Sequence, residues 1–75
     1  FKLHPNPTHD QWTITTANSQ EIISIQLYDY LGKQIMTLAP HSSVSIIYVN
    51  DLVAGIYFAH IKTSKGSKTL KLVKQ

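Results

Sequence analysis

The residues able to do chemistry in this chain are few and poorly grouped. Four histidines, His4, His9, His41 and His60, invite a metal site, since neutral imidazole is a common ligand for zinc and copper. None of them forms a spaced pair on one strand face with an acidic partner, and three fall in or beside expected turns. Serine, histidine and aspartate are all present, but no G-x-S-x-G turn accompanies them to expose and activate a nucleophile. The acids Asp10, Glu21, Asp29 and Asp51 all fall near expected strand ends, where capping and solvation account for a carboxylate. Three glycines are too few for a glycine-rich phosphate loop. With no cysteine there is neither a disulfide nor a cysteine-built zinc site. These observations point away from catalysis, metal and cofactor.

Charge narrows the partners. The net charge of +3 arises from seven lysines against three aspartates and one glutamate. Arginine, the residue best matched to phosphate, is absent. Lys62, Lys65, Lys68, Lys71 and Lys74 gather in the last third, where they could make a basic face. Lysine is also the usual guard of exposed strand edges, and that reading is preferred here over nucleic-acid binding. No apolar run approaches the roughly 20 residues of a membrane helix. No signal peptide is visible, and the start at Phe1 is expected of a domain trimmed from something longer.

The elements that must position these residues read as strands throughout. Residues 1–4 alternate and stop at Pro5, Asn6 and Pro7, where the prolines remove backbone donors and hold the residues before them extended. Residues 10–16 place Trp12, Ile14 and Thr16 on one face, with Thr13 and Thr15 opposite. After a turn at 17–20, residues 22–30 form the longest strand, with Ile23, Ile25 and Leu27 inward and Tyr28 toward a rim. Residues 29–33 look like a hairpin in which Gly32 takes the left-handed position. Residues 34–38 return, and residues 39–43 form a proline-broken loop. Residues 44–49 are apolar at nearly every position, as in a strand covered on both faces or one carrying a bulge. Residues 56–63 and 68–73 follow, joined by a glycine turn at 64–67. Seven short strands with frequent turns predict an all-β Greek-key β-sandwich in one domain, 1–75.

The stretch from Asn50 to Tyr57 organises that sandwich. Gly55 suits a positive φ or a close backbone approach. The Leu52-x-x-Gly55-x-Tyr57 spacing is similar to a tyrosine corner, in which a tyrosine at the start of a strand bonds back to the crossover before it. Tyr57 OH is therefore expected to reach a main-chain group near residues 51–53.

Four stretches in order resemble one family, the type A C-terminal sorting domain of type IX secretion cargo. They are Pro5-Asn6-Pro7, Leu27-Tyr28-Asp29-Tyr30-Leu31-Gly32-Lys33, Leu52-Val53-Ala54-Gly55-Ile56-Tyr57 and Lys71-Leu72-Val73-Lys74. Val53 stands where the family often has proline, and Thr8 where an apolar residue is common; neither departure touches the glycines or Tyr57. The resemblance implies a seven-stranded immunoglobulin-like sandwich and a secretion signal with no activity of its own. It implies an N-terminal passenger carried across the outer membrane by the type IX translocon, an outer-membrane carrier, and a sortase-like protease that usually removes the domain. The protein would be exported, periplasmic in transit, then at the cell surface or extracellular.

Within that reading, Lys71, Leu72, Val73, Lys74 and Gln75 are candidates for direct recognition by the machinery, since an edge strand can add to a partner's sheet. Pro5, Asn6, Pro7, Asp29, Gly32, Leu52, Gly55 and Tyr57 read as fold-specifying. The rival expectation is a carbohydrate-binding or adhesive β-sandwich, which an exposed row of aromatics would favour; Tyr28, Tyr30 and Tyr48 are the residues available for it.

Overall fold

The computed structural model describes residues 2–4, 10–17 and 20–75. Within these residues, seven antiparallel strands make two sheets. β1 (Lys2–His4), β2 (Gln11–Thr15) and β5 (Val44–Tyr48) form one, in the order β1-β2-β5. β3 (Ile22–Tyr28), β4 (Gln34–Leu38), β6 (Gly55–Thr63) and β7 (Gly66–Lys74) form the other, in the order β4-β3-β6-β7. The chain crosses between sheets after β2, after β4 and again after β5, which gives the Greek-key sandwich its non-consecutive neighbours.

Alternation builds the core from both sheets. Trp12, Ile14, Ile47 and Val49 come from one side, and Ile22, Ile25, Leu27, Tyr57, Ala59, Ile61 and Leu72 from the other. The largest pieces touch at the centre: the Trp12 and Tyr57 rings lie 6.1 Å apart, tilted by 60°, within the range of favourable edge-on aromatic contact. The Trp12 indole N–H is buried without a hydrogen-bond partner among the described residues. Thr16, which shares the apolar face as expected, is buried because its hydroxyl donates to Gln20 O at 2.6 Å.

Three details of side-chain placement differ from the sequence reading, and the longest strands are β6 and β7, nine residues each, where β3 has seven. On β3 the buried residue is Ile22, and Ile23 is half-buried. A register shift between Ile22 and Ser24 against β6 inserts one residue and flips the parity ahead of it. Next, β5 is neither covered on both faces nor bulged. Its register against β2 is regular, Ser45, Ile47 and Val49 point inward, and Val44, Ile46 and Tyr48 are exposed. Finally, the lysines do not share a face. They recur every third residue, and a strand alternates every second, so Lys62 and Lys71 fall on the outer face while Lys68 and Lys74 take the parity of buried Leu72. Lys65 sits in the β6–β7 turn, a two-residue loop of Ser64 and Lys65 closed by the Thr63–Gly66 pair and shorter than expected.

Candidate recognition site

The β3–β4 hairpin is built around one carboxylate. Asp29 Oδ1 accepts the backbone N–H groups of Leu31 and Lys33, each at 2.9 Å. The main chain closes the loop as Gly32 N–H donates to Asp29 O at 3.0 Å and Asp29 N–H donates to Lys33 O at 2.9 Å. Gly32 has φ of +86°, a conformation that costs a residue with a Cβ about 1–2 kcal/mol. Aspartate suits this position because its short side chain reaches amides two residues on, as in an Asx-turn. Tyr30 and Leu31 are thereby left in solvent.

The second assembly is the corner leading into β6. Tyr57 OH donates to Val53 O at 2.5 Å, the bond expected from its spacing. The ring is buried against Trp12, so the hydroxyl ties the loop to the core from within. Leu52 N–H donates to Val49 O at 3.0 Å, and the Leu52 side chain packs half-buried on the core. Gly55 has φ of +152°, and a Cβ built there would meet no atom within 4 Å. Of the two reasons for glycine at this position, backbone conformation is therefore the operative one.

Register brings the last strand onto this corner. Gly55 pairs with Lys74, Ile56 with Val73, Tyr57 with Leu72 and Phe58 with Lys71. β7 is an edge of its sheet, as expected. Leu72 is fully buried, Val73 and Lys74 are half-buried, and Lys71 and Gln75 are exposed. Lys74 Nζ donates to Gln75 O at 3.4 Å. Since Tyr28 pairs with Phe58 on the other flank of β6, the Asp29 hairpin leaves the sheet at the same end as Gly55 and Lys74. Three of the four sequence stretches thus converge at one end of the four-stranded sheet. The fourth, Pro5, Asn6 and Pro7, lies outside the described residues.

Other candidate chemistry stays dispersed. His41 Nδ1 lies 3.2 Å from Glu21 Oε2 in an exposed pair, and His60 Nδ1 lies 3.1 Å from Thr69 Oγ1. No group of three metal-ligating side chains occurs among the described residues. A shallow depression of about 200 Å³ is lined by Gln20, Thr63, Lys65, Gly66, Ser67 and Lys68, below the usual range of roughly 300–1,000 Å³ for small-molecule sites. The exposed tyrosines form no row: Tyr30 belongs to the β3–β4 hairpin, Tyr48 to the other sheet, and Tyr28 is half-buried with its hydroxyl donating to Gln26 Oε1 at 3.0 Å. Among the described residues, no helix is long and apolar enough to cross a membrane.

A search of curated proteins gives no match. The profile of one family, described as the secretion system C-terminal sorting domain, matches residues 2–75.

Proposed function

The chain belongs to the secretion system C-terminal sorting domain family, and from that premise we propose that it is the address of a larger exported protein. The family match over nearly the whole chain carries this reading. The type IX machinery would read the domain at the outer membrane, move the N-terminal passenger across, and present the junction to a sortase-like protease. The domain itself would perform no catalysis. Lys71 stands exposed on an edge strand and Gln75 just beyond its end, and Val73 and Lys74 are half-buried between them, so residues 71–75 are the segment we assign to direct recognition. Main-chain pairing with a partner sheet would supply affinity, and the lysines the choice of partner.

The test is a periplasmic reporter fused ahead of residues 1–75, expressed in hosts with and without the type IX translocon. Export only in the intact host is expected; periplasmic reporter in both hosts would overturn the assignment. Removing residues 72–75 to probe recognition would also remove Leu72, a fully buried core side chain. The cleaner variant is Lys71→Glu, Lys74→Glu and Gln75→Ala together, with circular dichroism to show that the sandwich persists. A folded variant exported at the wild-type level would mean that residues 71–75 only complete the fold.

A further inference from the structure

The outer edge of β5 lies apart from residues 71–75, the segment assigned to recognition. β5 borders its sheet and exposes Val44, Ile46 and Tyr48 by 44%, 42% and 67%. On the same face, β2 sets Thr15, Thr13 and Gln11 beside them. The hydrogen bonds of the β2–β5 ladder fix which backbone groups point outward. Thr16 N–H donates to Ser43 O and Val49 N–H donates to Asp10 O, each at 2.9 Å. Hydrogen-bonded pairs alternate along an antiparallel ladder, so Ser43, Ser45, Ile47 and Val49 spend their backbone groups on β2. Those of Val44, Ile46 and Tyr48 face away from it. Of these, Val44 N–H donates to Ser42 Oγ at 3.2 Å, a local bond that an incoming strand can replace.

We propose that β5 is a self-association edge whose partner is the β5 of a second copy of this chain. A two-fold axis through Ile46 pairs Ile46 with Ile46 of the second copy, and Val44 with its Tyr48. All of these residues have outward backbone groups, so each pair exchanges both backbone bonds. Every side-chain pair on the outer face is then apolar. Residues 42–50 carry no ionisable side chain other than the Tyr48 phenol. The product is one continuous sheet, β1-β2-β5 followed by the same three strands reversed. The other edges lack this combination. β1 carries Lys2 and His4, β4 exposes the polar Gln34 and Thr37, and β7 carries Lys68, Lys71 and Lys74.

Sedimentation of the chain from about 10 μM to about 1 mM spans the range of modest self-association. A concentration-dependent dimer is expected in the wild type, and a monomer throughout in Ile46→Lys with an unchanged circular dichroism spectrum. Because the chain has no cysteine, Ile46→Cys reads the axis directly. Hydrogen-bonded partners lie about 5.5 Å apart at Cα, within disulfide reach. Mild oxidation is expected to link Ile46→Cys at least about tenfold faster than Thr37→Cys, an exposed β4 position, because pairing raises the effective concentration. A wild-type monomer at every concentration, a dimer that survives Ile46→Lys, or equal linking at the two positions would each overturn the proposal. None of these readouts depends on export.

Discussion

The edge strands β5 and β7 share a plan and differ in one class of residue. Each borders its sheet, and each buries alternate side chains in the common core: Ser45 and Ile47 on β5, Leu72 on β7. Symmetric self-pairing of β5 about Ile46 opposes apolar residues throughout. Symmetric self-pairing of β7 about Lys71 would set Lys71 against Lys71 and Lys68 against Lys74 of the other copy. Like charges directly opposite one another destabilise a ladder, and lysine is a common means of keeping an edge from pairing with its own kind. The comparison separates two uses of an edge: β7 is barred from a second copy yet suited to a partner that offers acidic groups, whereas β5 is open to a second copy.

The largest expected effects come from inward positions and show where the two edges stop being alike. Leu72→Ala empties a fully buried site and should cost about 2–5 kcal/mol, read by urea denaturation at low protein concentration. Ile46→Ala trims a side chain on the solvent face of the opposite edge and should stay within about 0.5 kcal/mol. Similar losses from the two would show that β5 is packed on both sides after all. Asp29→Ala comes next, at about 1–2 kcal/mol, since one carboxylate oxygen holds two backbone amides of the β3–β4 turn. Tyr57→Phe follows at about 1 kcal/mol, for the hydroxyl bonded to Val53 O; no loss in the same denaturation would mean that the corner is held by packing alone.

These residues also mark how far the sequence could be read. Trp12, Ile14 and Thr16 declare their strand by strict alternation, and Gly55 with Tyr57 declares the corner because both constraints are local. Gly32 and Asp29 are legible for the same reason. β5 was not, because apolar residues at both parities look alike whether the outer row meets protein or solvent; burial is decided by a neighbour strand that the sequence does not name. The bulge at Ile23 was hidden as well, since an inserted residue shifts parity without requiring an unusual side chain. The convergence of the Asp29 hairpin, Gly55 and Lys74 depends on pairings between strands far apart in sequence. Each stretch could be recognised alone, but the shared sheet end appears only once the register is known.

The smallest expected stability effect gives the sharpest test of the comparison. Lys68→Thr with Lys71→Ile removes like charges at both kinds of opposed position on β7, and both side chains are exposed, so stability should change by no more than about 0.5 kcal/mol. Placed in the Ile46→Lys background, where the β5 edge is blocked, these changes leave β7 with Thr69, an isoleucine at position 71 and Val73 along its outer row. Self-association should then return through β7 at high concentration, read by sedimentation, because a neutral apolar row now faces its symmetric copy. If the triple variant remains monomeric, the lysines are not what separates the two edges. The strand's own twist or the packing of its outer face would then have to account for it. If it associates, the lysines of β7 are established as guards, whatever else the secretion machinery makes of them.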